Sequence, residues 1–338
     1  MTETPTEDFR ALTDLVRGHQ RSQAVAVAAR LGIADLLRDG PRHVGDLAAG
    51  TGTDGPALYR LLRALATIGV LVELDDHHFG LSGMGEYLRT DHPLTVDPLA
   101  RVYGAPYEWQ AWGELLHSVR TGGNAARHAL GVDVWEHRRR HPEDQEVFDA
   151  AMRTLSRAVT AGILAAHDFG RHRVLADIGG GTGALLAAVL RAHPGLHGVL
   201  VDQAQVLARA DEVFRAAGVA DRVDVVVGDF FADVPGGADA YLLSRILHDW
   251  PDDEAGAILR RVRGALQPDS VLLVHDAVVG PPGTDAPVAF LDLMMLVSAG
   301  GRERTEAEWR ELFRAARLRW HGATRVGPTS HLITAVPV

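Results

Sequence analysis

Five short apolar segments alternate with helical patterns in the second half of this 338-residue chain, and that alternation limits the possible folds more than any other feature. Near-continuous apolar strands joined by amphipathic helices can bury both faces of a parallel sheet, so the pattern predicts an α/β fold. In such sheets ligands bind beyond the carboxyl ends of the strands, where we therefore look for function. The predicted strands are 174–178, 198–202, 223–227, 238–244 and 271–279.

Residues 1–105 show a different pattern, in which helices and short breakers precede a hairpin. The order helix, turn, helix and hairpin resembles a winged helix, a shape that often binds DNA. The candidate recognition helix, 56–68, carries only Arg60 and Arg63 as basic residues, and the whole segment has 10 arginines against 14 acidic residues. A DNA-binding surface needs a basic face to neutralise phosphates. We therefore expect this domain to have a structural or dimerising role.

A mostly helical segment, 106–170, connects this domain to the third one, 171–338. Phe148 and Met152 share one helical face with later apolar residues, because they follow the i, i+4, i+7 spacing of an α-helix. The spacing alone fits core packing as well as the lining of a ligand pocket.

The ends of the first two predicted strands carry residues typical of a nucleoside site. In the motif DIGGGTG, Gly179, Gly181 and Gly183 allow a tight turn and a close approach of a ligand to the backbone. The second strand ends at Asp202, 25 residues after Asp177, and its carboxylate can accept hydrogen bonds from both ribose hydroxyls.

The remaining strand ends continue the series. The third strand is followed by Asp229, which can accept a hydrogen bond from an adenine amino group, and by Phe230, which can pack on the ring. The fourth ends in the stretch RILHDWPDDE, and the fifth reaches Asp276. Each residue alone fits an ordinary turn or cap, but the series predicts a site for an adenosine-bearing cofactor.

Two such cofactors, NAD and S-adenosylmethionine (SAM), have different requirements. NAD seats a pyrophosphate on a helix N-terminus, whereas SAM needs room beside the glycine loop for its amino-acid end and a carboxylate for its ribose. The compact GGGTG sequence, with Asp177 just before it, favours SAM.

Composition removes several other functions. The net charge of −10 argues against nucleic-acid binding. The absence of cysteine excludes disulfides and cysteine-ligated metal, and we expect no metal. No apolar run approaches the roughly 20 residues of a membrane helix, and the acidic N-terminus is unlike a signal peptide. We therefore expect a cytoplasmic protein without nucleic-acid or membrane partners.

Five motifs, in order, resemble those of the SAM-dependent small-molecule O-methyltransferases, which include the plant caffeate-type enzymes and actinobacterial antibiotic-pathway relatives. The motifs are DIGGGTGALLAAVL, VDQAQVL, GDFF, RILHDWPDDE and GGRERTEAEW. The resemblance covers nearly the whole chain, and the winged-helix-like segment is similar to that family's dimerisation domain. It implies a Rossmann-like SAM-binding domain at 171–338, a homodimer, and methyl transfer to a hydroxyl of a phenolic or other aromatic small molecule from secondary metabolism.

The resemblance also implies roles for individual residues. Ser244 stands where plant members have a lysine directed to adenine. Substrate-lining positions match Phe148, Met152, Met294 and Met295. Positions that bind the cofactor match Asp177, Gly179, Gly180, Gly181, Asp202, Asp229, Phe230, Ser244, Arg245, Trp250 and Ser156.

His248 matches the family's catalytic base. Asp276 and Glu303 match two acids that flank and orient that base, although Asp276 is one methylene shorter than the glutamate of plant enzymes, and Asp249 is an alternative for this role. A histidine with a pKa near 6.5 suits proton acceptance at neutral pH.

Two other functions stay open on the sequence. The same fold and cofactor would also serve C- or N-methylation, or a reaction that uses SAM without methyl transfer. A winged-helix regulator that senses a nucleoside ligand is a third possibility, which the acidic N-terminal domain disfavours.

Overall fold

The computed structural model describes residues 6–338, so the first five residues of the predicted N-terminal domain and of the acidic N-terminus lie outside the described part. The contacts divide the chain into two compact units. One contains the chain up to Trp109 together with His141–Thr154, and the other contains Gln110–Arg140 and Leu155–Val338. The helical segment 106–170 thus contributes to both units. The predicted domain boundaries at 105 and 170 stay a prediction.

The first unit contains a helical domain with a small antiparallel sheet. Leu58, Leu62 and Leu65 are buried on one face of the helix Gly55–Thr67, whose first turn is capped because Asp54 accepts a hydrogen bond from the backbone N–H of Ala57 at 2.9 Å. The sheet order is β1-β3-β2. The elements are α1 (Glu7–Val16), α2 (Gly18–Arg30), α3 (Ile33–Leu36), β1 (Arg42–His43), α4 (Val44–Thr51), α5 (Gly55–Thr67), β2 (Leu71–Glu73), β3 (His78–Leu81), a 3₁₀ turn (Gly85–Leu88) and α6 (Asp97–Tyr103).

The segment 106–170 is helical, as its sequence predicts. Its helices are α7 (Pro106–Gly113), α8 (Leu115–Thr121), α9 (Ala125–Leu130), α10 (Val134–Arg140) and α11 (Pro142–Ala166). Helix α11 runs through both units: Phe148 and Met152 lie on its first part, in the first unit, and Ser156 lies on its second part, in the second unit.

The second unit is built on a large mixed sheet. Its strand order is β11-β12-β8-β7-β4-β5-β6, with parallel pairing from β8 to β6 and antiparallel pairing of β12 and β11. The elements are a 3₁₀ turn (Phe169–Arg171), β4 (Val174–Ile178), α12 (Ala184–Ala192), β5 (His197–Asp202), α13 (Ala204–Leu207), α14 (Ala210–Ala217), a 3₁₀ turn (Ala220–Arg222), β6 (Val223–Val227), β7 (Ala240–Ser244), a 3₁₀ turn (Leu247–Asp249), α15 (Asp252–Ala265), β8 (Val271–Asp276), β9 (Val278–Val279), α16 (Ala286–Met294), a π-helical turn (Met295–Ala299), β10 (Arg304–Thr305), α17 (Glu306–Ala315), β11 (Leu318–Arg325) and β12 (His331–Pro337).

Both faces of this sheet are buried, as near-continuous apolar strands predict. On one face Leu243 packs in a cluster with Ile258 of α15 and Trp309 of α17. On the other face Leu242 packs in a cluster with Phe214 of α14. The strand order reverses at β4, between β5 and β7, and this reversal is where open α/β sheets bind their ligands.

One predicted strand, 271–279, is wrong in its extent. Strand β8 ends at Asp276, and Val278–Val279 pairs instead with β10 in a separate parallel pair. The neighbouring strands cause the break, because the pairing of β7 ends opposite His275 and that of β12 ends opposite Asp276. With no strand beside it, the chain leaves the large sheet.

Within residues 6–338, none of the helices combines the length and the apolar character needed to cross a membrane.

Candidate active site

A glycine-rich loop connects β4 to α12 at the carboxyl edge of the large sheet. Gly179, Gly181 and Gly183 have φ angles of +70°, +63° and +78°, which glycine adopts without steric penalty. At Gly180 a Cβ atom would lie 2.4 Å from Oδ2 of Asp177. The loop therefore presents bare backbone, to which a ligand can come close.

Two carboxylates accompany the loop. Asp202, at the end of β5, accepts hydrogen bonds from the backbone N–H groups of Gly181 at 2.8 Å and Gln203 at 2.7 Å. Asp177 is buried, and neither of its carboxylate oxygens has a hydrogen-bond partner among the described residues. Burial, with a contribution from the charge of Asp202, raises the pKa of Asp177 to about 7. A cationic group bound at the loop would offset this buried charge, so the loop fits the ammonium end of SAM.

Aromatic rings follow β6 and β7. A Cβ atom on Gly179 would lie 3.3 Å from the Phe230 ring, and the Phe231 and Trp250 rings meet edge to face at 4.7 Å between centroids. Asp229 is exposed, and its Oδ1 accepts a hydrogen bond from the backbone N–H of Phe231 at 2.9 Å. Flat apolar surface beside an exposed carboxylate suits an adenine ring and its amino group.

The chain turns sharply after β7. Arg245 has a φ of +57°, which is uncommon for a residue other than glycine, and its backbone N–H donates to the carbonyl of His275 at 2.9 Å. The hydroxyl of Ser244 lies 2.9 Å from Nδ1 of the buried His275. This turn directs the chain into the 3₁₀ turn Leu247–Asp249.

His248 lies in that 3₁₀ turn and is only 5% exposed. Its Nδ1 is 2.7 Å from Oε1 of Glu303, whereas Oδ1 of Asp276 is 3.9 Å from the same nitrogen. Oδ1 of Asp249 is 3.7 Å from the other ring nitrogen, Nε2. Of the three acids that the sequence left as alternatives, Glu303 therefore makes the direct hydrogen bond, while the other two supply charge at longer range.

The three carboxylates change the basicity of His248. Burial by itself lowers the pKa of the imidazole, but Glu303, Asp276 and Asp249 outweigh it and raise the pKa to about 9. This pKa lies above the ordinary histidine value of about 6.5. Burial raises the pKa of Asp276 to about 7 and also raises that of Asp249. The cluster therefore holds a proton near neutral pH and has a base stronger than ordinary histidine.

Comparison with protein families completes this picture. Residues 112–319 match the O-methyltransferase domain, and residues 13–91 match the O-methyltransferase dimerisation domain. The chain belongs to the O-methyltransferase family. The predicted fold, an N-terminal mostly helical dimerisation domain followed by a Rossmann-like domain, is thereby confirmed, and so is the predicted cofactor, SAM.

The relatives of this O-methyltransferase include enzymes of antibiotic biosynthesis. The mitomycin biosynthesis 6-O-methyltransferase of Streptomyces lavendulae is 41% identical over 91% of this chain and 88% of that protein. The 8-amino-8-demethylriboflavin N,N-dimethyltransferase of Streptomyces davaonensis is 42% identical over 85% of this chain and 84% of that protein. An O-methyltransferase from neocarzinostatin biosynthesis, solved with SAM and 2-hydroxy-5-methyl naphthoic acid, is 34% identical and has a TM-score of 0.82, with coverage of 94% of this chain and 96% of that one.

The structure brings the predicted catalytic residues together, whereas the predicted substrate-lining residues belong to both compact units. Met294 ends α16, and buried Met295 begins the π-helical turn, which lies next to the 3₁₀ turn that carries His248. Phe148 and Met152 belong to the first compact unit. Among the described residues, histidine and acidic side chains form no cluster suited to a metal ion.

Sequence reasoning missed one buried residue of this O-methyltransferase. Arg304 is next to Glu303 in the GGRERT motif, and its side chain is fully buried against the turn that carries His248. The available signal was an arginine in a motif whose neighbouring acid was already assigned to the site.

Proposed function

We propose that this protein transfers the methyl group of SAM to a hydroxyl of a phenolic or other aromatic small molecule, with His248 as the general base. The observation that carries the proposal is the buried hydrogen bond between His248 and Glu303 at the same sheet edge as the glycine loop. The named relatives in antibiotic biosynthesis support an acceptor from secondary metabolism.

In this proposal Glu303 selects the tautomer of His248. A carboxylate at 2.7 Å accepts a hydrogen bond from Nδ1–H, so the lone pair of the neutral imidazole is on Nε2. Nε2 then takes the proton of the acceptor hydroxyl as the oxygen–carbon bond forms and the sulfur–carbon bond breaks. When bound, SAM supplies an electrophilic sulfonium methyl group, so the protein's tasks are to align the acceptor and to remove its proton.

The raised pKa of His248 suits this task. A phenol has a pKa of about 10 and ordinary histidine about 6.5, whereas His248 has a pKa of about 9. Because each pKa unit corresponds to about 1.4 kcal/mol, the narrower gap removes on the order of 3 kcal/mol from the cost of proton transfer. In return, His248 is mostly protonated at pH 7 and must lose that proton before it can accept another.

We assign the cofactor contacts to the residues around the sheet edge. Asp202 would bind the ribose and Asp229 with Phe230 the adenine. The glycine loop, Asp177 and Ser156 would hold the methionine end, and Ser244, Arg245 and Trp250 would complete the pocket. The conformation of Gly179, Gly181 and Gly183 and the unpartnered carboxylate of Asp177 support this assignment.

We propose that Met294 and Met295 contact the acceptor, because the segment that contains them lies next to the turn of His248. Phe148 and Met152 are proposed as further acceptor contacts. We also propose a cytoplasmic homodimer that forms through the N-terminal domain, which the match to a dimerisation domain supports.

N-methylation is a second candidate, which the 42% identical N,N-dimethyltransferase favours. The deciding experiment supplies methyl-¹³C SAM and a panel of catechols, aminophenols and hydroxynaphthoic acids, and identifies products by mass and ¹³C NMR. An O-methyl resonance supports the proposal, and an N-methyl or C-methyl resonance would replace it. Products of a SAM-dependent reaction without a methyl mass gain would exclude methyl transfer.

A further inference from the structure

Arg304 is a buried arginine whose guanidinium donates to the turn that carries His248 and to Asp252 just after it. The side chain is 0% exposed. Nη1 donates to the carbonyl of Leu247 at 2.9 Å, Nη2 donates to the carbonyl of Trp250 at 2.8 Å, and Nε donates to Oδ1 of Asp252 at 2.8 Å. These contacts begin one residue before His248 and continue after it.

A guanidinium is the group that can make this set of contacts. Its planar fork presents several N–H donors in fixed directions, whereas a lysine ammonium is a single point charge. The two carbonyls are at the ends of a short 3₁₀ turn. That of Leu247 also accepts from the backbone N–H of Trp250 at 3.4 Å, so the guanidinium makes the shorter of its two hydrogen bonds. Burying a charged group without such partners is costly, so the contacts also fix the guanidinium in place.

The same arginine connects the turn to the segment that directly follows Asp276. The Arg304 guanidinium lies 5.3 Å from the Trp309 ring centroid, and the Trp309 indole N–H donates to the carbonyl of Ala277 at 3.0 Å. The backbone of Arg304 pairs with Val278 in the parallel β9–β10 pair. The preceding residue, Glu303, bonds His248 directly.

A close backbone approach holds this segment against the turn. A Cβ atom on Gly301 would lie 2.0 Å from the carbonyl oxygen of His248, and the backbone N–H of Arg302 donates to that oxygen at 2.9 Å. The segment from Gly301 to Arg304 therefore contacts the turn through both backbone and side chains.

We propose that Arg304 is a positioning residue that holds Leu247 and Trp250 so that the imidazole of His248 stays directed at Glu303 and at the acceptor. The inference rests on the proposed role of His248 as the base. We therefore expect loss of the Arg304 side chain to lower kcat more than loss of stability alone would, because a small displacement of a reacting group lowers the rate strongly.

A second arginine provides a matched control. Arg222 donates to the carbonyls of Leu196 at 2.8 Å and Leu190 at 2.9 Å, in the same unit. R222M removes the same kind of carbonyl contact as R304M, but beside α12 and β5 rather than at the turn of His248. Comparable losses of melting temperature in the two variants would separate general destabilisation from positioning.

The first readout needs no acceptor. ¹⁵N-histidine-labelled full-length protein is saturated with S-adenosylhomocysteine, and H248Q identifies the His248 resonances among those of the 17 histidines. In R304M we expect a changed Nδ1–H signal and a displaced titration of His248, while R222M keeps the parent signal. The groups that affect this titration are Glu303, Asp276, Asp249 and His275.

The second readout is kinetic, with the acceptor from the panel that gives the highest turnover. We expect kcat to fall about 10- to 100-fold in R304M, with the Kd for S-adenosylhomocysteine within about threefold, and kcat within about twofold in R222M. R304K, which keeps the charge but cannot reach both carbonyls, should recover only part of kcat.

A folded R304M whose His248 signal and kcat match those of R222M would overturn the inference. If R304M does not fold, R304K provides the test. A parent His248 signal and a parent kcat in R304K would overturn the inference, whereas a changed His248 signal with a reduced kcat would support it. H248Q separates the two proposals. If H248Q keeps full activity, His248 is not the base, and the NMR readout still tests whether Arg304 positions it. If H248Q is inactive but R304M keeps the parent His248 signal and kcat, only the role of Arg304 is removed.

Discussion

Glu303 and His248 are 55 residues apart in the chain, yet Oε1 of Glu303 lies 2.7 Å from Nδ1 of His248, with both side chains buried. The bond joins the residue directly before β10 to the turn that follows β7. A buried imidazole whose Nδ1 is hydrogen-bonded to a carboxylate has a defined tautomer, with the lone pair of the neutral ring on Nε2. Most of the expected chemistry of this protein depends on that relationship.

Replacement of His248 by alanine should lower kcat about 10²- to 10⁴-fold at neutral pH, the usual contribution of a general base. Alignment of the acceptor remains, so measurable turnover should persist. The Kd for S-adenosylhomocysteine, measured by calorimetry, should stay within about threefold. Parent-level turnover in H248A would remove the base role.

The pH dependence of kcat/KM should follow the unprotonated fraction of His248. Because the pKa is raised to about 9, the reactive form increases about tenfold per pH unit from pH 7 and levels off above about 9. The profile should be measured beside that of H248A, which shows the contribution of acceptor ionisation alone. A plateau already at pH 7.5 would indicate an ordinary histidine pKa and contradict the prediction.

E303Q should be more damaging than D276N. Glutamine keeps the shape of Glu303 but removes the negative charge of the group that accepts the hydrogen bond from Nδ1–H. We therefore expect kcat to fall about 10- to 100-fold and the acid limb of the pH profile to move to lower pH. Asp276 is 3.9 Å from Nδ1, so D276N should mainly move the acid limb of the pH profile to lower pH, with a smaller effect on kcat. E306Q, on the exposed start of α17, serves as the control. A larger loss in D276N would make Asp276 the orienting acid.

D177N should change the pH dependence of stability. The pKa of Asp177 is raised to about 7 in the folded protein, against about 3.9 in an unfolded chain. The folded state therefore binds more protons than the unfolded state between these values, and this residue lowers the free energy of unfolding as pH rises from 4 to 7.

The asparagine variant lacks this loss, so its stability relative to the parent should increase by up to several kcal/mol between pH 4 and pH 8. Urea denaturation at pH 4, 6 and 8, without cofactor, measures the difference. Equal pH slopes in both proteins would show that Asp177 has an ordinary pKa.

Local patterns in the sequence were sufficient for the ends of the first four strands of the series. Strand periodicity and glycine position depend on near neighbours, so the loop at Gly179–Gly183, the carboxylate of Asp202 and the turn at His248 all lie where the pattern predicts. The family motifs added the cofactor, because they occur together and in a fixed order.

Tertiary structure alone decided what each acid does. Glu303, Asp276 and Asp249 are equivalent as sequence, but distances of 2.7, 3.9 and 3.7 Å to the imidazole separate the hydrogen-bond partner from the two longer-range charges. The pKa of about 9 arises because burial and three carboxylates from separate segments act on one ring. The contacts of Arg304 depend on tertiary structure for the same reason: they join segments that only folding brings together, and the energy of a buried charge depends on the groups around it.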